Sequence, residues 1–360
     1  MFKKRILVII PFLFFCASFL SLFPFWLGDL FSHFRMLWTV LSFILLVACG
    51  IFVIQKKIDM LFLVFPFAAL LINWYNSPQF SYNSYSLWKN FQTYEYLYSG
   101  SPTDIEYSEN LKREIKNDTT VKSLLLMNVL SSNRNYEEVK ETIKNTDADF
   151  VVIIELNQKW KEELNEIEQN YFAHYSQLRE DNFGMGIYSK TSFVESILLD
   201  SVHNQKKAKQ ANSYSMTNPN INYYISNQKL KEPCIYVQDV NQTAILIAHS
   251  FPPISPEAYD RRNNYLREIS SVAAKKEKTL LVGDFNCSPF SADYKKFLKN
   301  SGLKDSQENF GFQPTWNSSF PFLMQTQLDH VWHSEDIEIL HRQTLPIEGS
   351  DHKAVLVLFR

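Results

Sequence analysis

The sequence contains few cysteines and no internal repeat. Only four cysteines occur in 360 residues, and none belongs to the closely spaced pairs that are typical of zinc sites and redox motifs. Cys16 and Cys49 lie in apolar segments, while Cys234 and Cys287 are isolated in the more polar part of the chain. The sequence therefore gives no indication of zinc or redox chemistry. It leaves open whether Cys234 and Cys287 form a disulfide bond.

A net basic charge is also missing. The 29 basic and 34 acidic residues from residue 105 onward give this part of the chain a net charge of −5. A strongly basic surface would favour avid binding to nucleic acid, because binding releases counterions. The net charge gives no support for such binding, which would have to depend on a local basic strip.

Charged residues are absent from three apolar runs near the N-terminus, residues 6–28, 36–55 and 60–75. About 20 apolar residues allow a helix to cross the hydrocarbon core of a membrane. The third run is short and contains Pro66, which membrane helices tolerate. A cleaved signal peptide is the alternative interpretation of the first run, but its length and the two runs behind it favour a retained segment. We therefore predict three transmembrane helices.

Basic residues predict the orientation of these helices. Only Arg35 lies between the first and second runs, whereas five basic residues precede the first run or separate the second from the third: Lys3, Lys4, Arg5, Lys56 and Lys57. Basic residues concentrate on the cytoplasmic side of a membrane protein. After an odd number of spans, the rest of the chain lies on the other side. This predicts a multi-pass protein of the inner or plasma membrane with an extracytoplasmic C-terminal domain.

The domain boundaries follow from the same patterns. Residues 1–75 form the predicted membrane anchor, residues 76–119 a juxtamembrane linker, and residues 120–360 the C-terminal domain. In that domain short apolar strands alternate with amphipathic helices, which indicates an α/β or layered α+β fold. Residues 196–243 show no clear periodicity and are expected to form loops and edge strands.

Polar side chains stand at the ends of these apolar strands. Residues 279–282 read as a buried strand that is followed by Asp284 and Asn286. Positions i and i+2 of an extended chain face the same side, so both side chains can contact one small ligand. The pattern Gly-Asp-x-Asn is also ordinary turn chemistry, and it gains weight only from the other strand ends. Those ends supply Asn128, Glu155, His249, Asp329, Asp351 and His352.

These residue types suit phosphoester hydrolysis. Carboxylates and amides without a cysteine cluster favour a hard cation such as Mg²⁺, and Mn²⁺ is an alternative. Histidines transfer protons near neutral pH. Hydrolysis of a phosphoester needs a metal ion, a base for the water, an acid for the leaving oxygen and neutral donors for the phosphoryl oxygens. Each residue alone could be a cap, a turn residue or a buried histidine, but the whole set has no such simple structural explanation.

In their order along the chain, these motifs resemble those of the endonuclease/exonuclease/phosphatase superfamily. That superfamily includes DNase I, abasic-site endonucleases, bacterial sphingomyelinases and inositol-polyphosphate 5-phosphatases. The resemblance covers residues 120–360 and is carried by Met127-Asn128, Glu155, Ala248-His249, Gly283-Asp284-Phe285-Asn286, Pro314-Thr315-Trp316, Leu328-Asp329-His330 and Ser350-Asp351-His352. It implies a four-layer fold in which two packed β-sheets are flanked by helices.

The resemblance also implies which residues bind the metal ion and the phosphate. Glu155 would ligate the metal, Asp351 would complete its shell, and Asn128 would help to place both the metal and the phosphate. The chain departs from the family pattern at Ile154, where glutamine is usual, and at Ala354, where proline is usual. Neither departure removes a reactive group.

Catalytic roles are implied for the remaining five residues. His352, in a loop expected near the surface, would be the base or would polarise the phosphate, and Asp329 would orient it. Asp284 would activate or stabilise the water. Asn286 would hold a phosphate oxygen. His249 would be the acid.

Three functions are compatible with this site. The first is a membrane-tethered, metal-dependent phosphoesterase of the nuclease type that acts outside the cytoplasm. The second is a phosphatase or phospholipase for phospholipids or inositol phosphates, and the third is a catalytically silent binding module. The residues imply no obligate protein partner. Substrate choice would depend on loops within residues 196–243 and after Phe290.

The topology can be tested with a reporter that is active only in the cytoplasm. Because Lys56 and Lys57 mark the cytoplasmic side, the reporter should be active when it is fused after Lys57 and inactive when it is fused after Arg360. Cytoplasmic activity after Arg360 would contradict the predicted orientation.

Overall fold

The computed structural model describes residues 2–76, 120–200, 204–206, 233–274 and 277–360. Nearly all of the predicted linker, residues 76–119, lies outside these ranges, and so does the middle of residues 196–243. The described residues fall into a helical N-terminal part and a C-terminal domain that contains every strand described.

The N-terminal part contains the helices α1 (Phe2–Leu20), α2 (Trp26–His33), α3 (Arg35–Ile54) and α4 (Val64–Tyr75). The first apolar run is not one helix, because α1 ends before Ser21 and α2 begins a new turn at Trp26. Among the described helices only α3 is both long and apolar enough to cross a membrane. The apolar segments Ile9–Leu20 and Met60–Tyr75 are shorter. Three membrane spans therefore stay a prediction.

The described strands of the C-terminal domain are β1 (Lys122–Asn128), β2 (Phe150–Ile154), β3 (Ala173–Gln177), β4 (Met185–Ser189), β5 (Phe193–Asp200), β6 (Asn204–Lys206), β7 (Pro233–Asp239), β8 (Ala244–His249), β9 (Thr279–Asp284), β10 (Lys304–Asp305), β11 (Asp329–His333), β12 (Ile339–Pro346) and β13 (Lys353–Phe359). Sheet I has the order β12-β13-β1-β2-β4-β3, and sheet II has the order β10-β11-β9-β8-β7-β5-β6. Near the middle of each sheet lies one parallel pair, β1 with β2 and β8 with β9. All other described pairs are antiparallel.

Helices cover the outer face of each sheet. The helices described in this domain are α5 (Tyr136–Thr146), α6 (Gln158–Glu163), α7 (Asn165–Glu168), α8 (Pro256–Ala273) and α9 (Ala292–Ser301). Side chains of α5, α6 and α7 pack on sheet I, and those of α8 and α9 pack on sheet II. The inner faces of the two sheets share one apolar core. The predicted four-layer sandwich is therefore confirmed.

Strand β1 carries apolar side chains on both of its faces. Leu124 and Leu126 point into the core between the sheets, whereas Leu125 and Met127 pack under the helices. All four side chains are fully buried, because a sheet that is covered on both faces needs apolar residues on both. Burial of each such side chain stabilises the fold by about 1.5–3 kcal/mol.

Some strands were not visible in the sequence. Strand β7 is a buried inner strand of sheet II between β5 and β8, although residues 196–243 were expected to form loops and edge strands. Strand β12 is an edge strand whose side chains are mostly half-buried, and its polar sequence gives no alternating pattern. Both depend on pairing with distant strands rather than on a local signal.

Gly283 allows β8 and β9 to lie close together at the end that carries polar residues. Its φ of +151° is rarely adopted by residues with a side chain, and a Cβ at this position would collide with the main-chain carbonyl of Ala248. Gly302 ends α9 with a φ of +70°, and a Cβ there would meet no described heavy atom within 4 Å. Gly302 therefore reports the cost of an ordinary left-handed turn, whereas Gly283 combines a conformation reserved for glycine with a collision.

Gly283→Ala should lower the free energy of unfolding by about 3 kcal/mol or more, since it combines backbone strain with overpacking. Gly302→Ala, the comparison variant, should cost about 1–2 kcal/mol, because it adds only the strain of a left-handed turn. Chemical denaturation of the two variants measures the difference. Equal losses would mean that the close approach of β8 and β9 does not require glycine.

Candidate active site

The predicted site residues meet where strands of both sheets end. In sheet II, His249 on β8 and Asp329 on β11 are the register partners of Asp284 on β9, one on each side. In sheet I, Asn128 ends β1 beside the end of β2, which Glu155 follows. Packing of the sheets joins the two groups.

Asn128 is the direct link between the sheets. Its Nδ2 lies 3.3 Å from Oε1 of Glu155 and 3.2 Å from Oδ2 of Asp284. One amide thus donates to two carboxylates that belong to different sheets. Its carbonyl oxygen accepts a hydrogen bond of 2.8 Å from the Ser350 hydroxyl, which ties the segment before His352 to the same point.

Two site residues have left-handed backbone conformations. The φ of Glu155 is +65° and that of Asn286 is +45°, which is uncommon for residues other than glycine and costs about 1–3 kcal/mol. Hydrogen bonds fix both residues: the distant Ser131 N–H donates to Oε2 of the Glu155 side chain at 3.0 Å, and Asn286 N–H donates to Asp284 Oδ1 at 2.9 Å. The chain therefore turns sharply just where its functional groups are presented.

His352 and Asp329 form a buried pair. Nδ1 of His352 lies 2.8 Å from Oδ2 of Asp329, and Nε2 lies 3.7 Å from Oδ2 of Asp284. The expectation that His352 is near the surface is wrong, since the residue is only 5% exposed. It immediately precedes β13 and bridges to Trp316, so packing fixes the imidazole as firmly as the carboxylate does.

Burial and neighbouring charges move the pKa values of the two histidines in opposite directions. Burial alone would lower the pKa of His352, but Asp329, followed by Asp284 and Asp351, raises it to about 10. Burial, and then the nearby His352, lowers the pKa of His249 to about 4. Without a metal ion His352 is therefore charged at neutral pH and His249 is neutral. A charged His352 suits the expected role in which it polarises the phosphate, and a bound cation would lower the pKa of His352 by its own charge.

The carboxyl groups of the site fit a cation. Burial, and then the neighbouring Asp329, raises the pKa of Asp284, and burial is also the main cause that raises the pKa of Glu155. Among the described residues, Oδ1 of Asp329 and Oδ1 of Asp351 are buried without a hydrogen-bond partner. Hard oxygen atoms that are withdrawn from water and unpaired are the ligands that a divalent metal ion prefers.

Geometry alone groups Asp284, Asp329 and His352, whose potential ligand atoms lie within 4.8 Å of one another. This group differs from the ligands implied by the motifs, Glu155, Asp351 and Asn128. Asn128 connects the two groups, because its Nδ2 contacts both Glu155 and Asp284.

Several residues of the site carried no signal in the sequence. Ser250 accepts, through its carbonyl, a hydrogen bond of 2.9 Å from Asn286 Nδ2. Phe183 packs its ring 4.9 Å from that of His249. Loop residues such as these have no periodicity to reveal them. The Pro-Thr-Trp motif did indicate two others: Thr315 accepts from the N–H of Asp329, and Trp316 Nε1 donates to Asp351 Oδ2 at 2.9 Å.

His330 and Cys287, which are neighbours of predicted catalytic residues in the sequence, have structural roles. His330 is fully buried and points away from Asp329; its Nε2 lies 2.8 Å from the Cys287 carbonyl and its Nδ1 3.0 Å from Gln327 Nε2. Cys287 and Cys234 are buried free thiols. Burial raises the pKa of both to about 12, so neither is a nucleophile at neutral pH.

The comparison with protein families decides the identity of this fold and site. A model of the Endonuclease/Exonuclease/phosphatase family matches residues 125–352, more than half of the chain. The chain belongs to the endonuclease/exonuclease/phosphatase family. The matched segment includes every predicted site residue from Asn128 to His352, and the family supports a phosphoester hydrolase.

Solved structures of this family share the fold. TDP2 from D. rerio in complex with a single-strand DNA product has a TM-score of 0.52 and 15% identity, and the match covers 68% of this chain and 100% of that chain. An endonuclease/exonuclease/phosphatase from Bacteroides vulgatus has a TM-score of 0.50 and 16% identity, with coverage of 67% and 99%. No curated protein matches the sequence. At these identities the similarity concerns the fold alone.

Proposed function

We propose that the protein is a membrane-tethered, Mg²⁺-dependent phosphoesterase of the nuclease type, which hydrolyses a phosphodiester or phosphomonoester outside the cytoplasm. The observation that carries the proposal is the buried cluster in which Asn128 joins Glu155 to Asp284 while Asp329 holds His352. A binding module would gain nothing from withdrawing so many carboxyl groups from water, because each withdrawal opposes folding.

Glu155 and Asp351 would hold the metal ion, and Asn128 would place it against the phosphate. We prefer these ligands, which the motifs imply, to the group of Asp284, Asp329 and His352, because they leave Asp284 for the water and His352, held by Asp329 at 2.8 Å, for the substrate. When bound, the ion would supply positive charge that stabilises the developing charge on the phosphoryl oxygens. Mn²⁺ has the same preference for oxygen ligands and could replace Mg²⁺.

The other side chains would handle the water and the phosphate. Asp284 would orient the attacking water, and Asn286 would donate to a phosphoryl oxygen. Nε2 of His249 lies 3.6 Å from Oδ2 of Asp284, which is near enough for a proton to pass between them through small movements. His352, with Nδ1 held by Asp329, would keep Nε2 available to the substrate.

Two observations support the tether and its orientation. Helix α3 has the length and apolar composition of a membrane span. Helix α2, which lies between the first two predicted spans, contacts the C-terminal domain through Asp29 and Arg262. Three spans would place α2 and the C-terminal domain on the extracytoplasmic side. The contact between them requires that they lie on the same side.

An amphiphilic substrate is the second candidate. The loop after His249 carries Ile254, which is 78% exposed, and Phe251, whose ring centroid lies 4.4 Å from that of Phe183. Apolar side chains beside a phosphoesterase site would suit a phospholipid or another phosphate ester with an apolar part. The net charge of −5 also gives no electrostatic advantage to a polyanion such as DNA.

A substrate panel tests the proposed function. The full-length protein in detergent micelles should hydrolyse at least one of DNA, RNA, sphingomyelin, phosphoinositides and a simple aryl phosphate in the presence of Mg²⁺. Preference for DNA or RNA would support the nuclease, and preference for the lipids would support the second candidate. Hydrolysis of none of them would contradict both.

Metal binding should be visible in stability as well as in activity. Mg²⁺ or Mn²⁺ should raise the melting temperature of chelator-treated protein, since a ligand at 100 times its Kd stabilises the folded state by about 2.7 kcal/mol. Glu155→Gln should abolish most of this rise. Glu335→Gln, which alters an exposed carboxylate paired with Lys304, should leave it unchanged. Full hydrolysis in excess chelator would contradict the metal dependence.

His352→Ala should lower kcat and kcat/KM together by about 10²–10⁴-fold, which is what general acid–base catalysis typically supplies. Asp329→Asn should cause part of the same loss, and the double variant should lose less than the product of the two effects. Steady-state kinetics on the substrate identified by the panel measure these ratios, and circular dichroism checks the fold because His352 is buried.

His341→Ala is the control for the His352 variant. His341 lies on the edge strand β12 and is half-buried, so its loss should leave turnover unchanged. His330→Ala is unsuitable, since His330 is fully buried. Near-normal turnover of a folded His352→Ala variant would refute the catalytic assignment.

A further inference from the structure

A buried ion pair joins the N-terminal helices to the catalytic domain. Nη1 of Arg262, on α8, lies 2.7 Å from Oδ2 of Asp29, on α2, and the side chains are 0% and 1% exposed. The two residues are 233 positions apart in the chain. Removal of either partner would leave the other as a buried charge without its counter-ion, which is strongly unfavourable. The catalytic domain therefore contains a buried counter-ion for Asp29 of α2.

The same guanidinium contacts the active-site loop. Nη1 of Arg262 also donates to the main-chain carbonyl of Asn286 at 2.8 Å. Its Nε and Nη2 donate to Oδ1 of Asn263 at 3.0 and 2.9 Å, and Nη2 lies 3.8 Å from Asp293. A guanidinium is planar and carries five N–H donors, so Asp29 and the carbonyl of Asn286 can be bound at once.

The main chain at Asn286 needs such support. Its φ of +45° lies in the left-handed region, which asparagine enters more readily than most residues but in which hydrogen bonds must hold it. Its N–H is bound by Asp284 and its side-chain amide by the Ser250 carbonyl. Arg262 binds the remaining polar group, the carbonyl oxygen. The position of the Asn286 side chain therefore depends on the geometry of Arg262, which depends on Asp29.

A second contact from α2 reaches the loop that follows His249. Nε1 of Trp26 donates to the carbonyl of Pro253 at 2.8 Å. Met36, at the start of α3, packs against Phe290 and Phe312. The loops that leave β8 and β9 both rest on the N-terminal helices, so these helices support both sides of the site.

We infer that Asp29 and Arg262 are positioning residues for hydrolysis: Asp29 fixes the guanidinium of Arg262, and Arg262 holds the main chain of Asn286 in the conformation that catalysis needs. The N-terminal helices are thus a part of the active site as well as an anchor. This inference rests on the proposed function. A purely structural ion pair would affect stability alone, whereas a positioning pair affects turnover in folded protein.

The experiment compares full-length variants. Asp29→Asn removes the charge but keeps the shape of the side chain. Arg262→Lys keeps a buried positive charge opposite Asp29 and so retains the fold, but it loses the planar fork that binds both partners. Ile143→Val, on α5 where its side chain packs against the outer face of sheet I, is the control for a general loss of stability.

Both Asp29→Asn and Arg262→Lys should lower kcat by about 10- to 100-fold with KM changed less than threefold, because displacement of a catalytic group by about 1 Å can cost about 100-fold. Asp29→Glu, which restores the charge, should recover most of kcat. Ile143→Val should keep the kcat of the unmodified protein, even if its melting temperature falls as much as those of Asp29→Asn and Arg262→Lys.

Hydrogen–deuterium exchange separates this inference from the proposed function. Amides of residues 285–291 should exchange faster in Asp29→Asn and Arg262→Lys than in the unmodified protein or in Ile143→Val, whether or not any substrate is hydrolysed. Absence of hydrolysis by the unmodified protein would refute the proposed function alone. Unchanged exchange in this segment, or unchanged kcat in an active protein, would overturn the positioning role.

Discussion

The carboxyl groups of Glu155, Asp284 and Asp329 are buried at one end of two packed sheets, beside the half-buried Asp351. Loss of hydration and mutual repulsion both oppose this arrangement, and the raised pKa values of Asp284 and Glu155 express that opposition. The imidazole of His352, the amide of Asn128 and main-chain N–H groups offset part of the cost. A divalent metal ion, as proposed, would supply the positive charge that is still lacking.

The two sheets make this concentration of charge possible. Each contributes one parallel strand pair whose carboxyl ends open at the same edge, so polar residues from four strands face a common space. Strand β11 adds Asp329 from the antiparallel direction, directly opposite Asp284. The apolar core behind them supplies the free energy that holds unfavourable groups in place. Strain at Glu155 and Asn286 is tolerated for the same reason.

A buried ion pair also joins the N-terminal helices to the sandwich. Arg262 is a buried cation placed behind the active-site loop, and its counter-ion Asp29 comes from a helix outside the catalytic fold. This ion pair therefore fixes the position of the site relative to the N-terminal helices.

Local signals in the sequence by themselves indicated a layered α/β or α+β domain with polar residues at its strand ends, and the resemblance of the ordered motifs to a known family implied the four-layer fold. Apolar runs, their abrupt ends and the order of the motifs can all be read along the chain. Tertiary structure decided the partners. It buried His352 beside Asp329, separated the pKa values of His352 and His249, placed β7 inside sheet II, and paired Asp29 with Arg262 across 233 residues. Such contacts leave no local periodicity, since each side chain has an ordinary sequence context until the fold brings its partner to it.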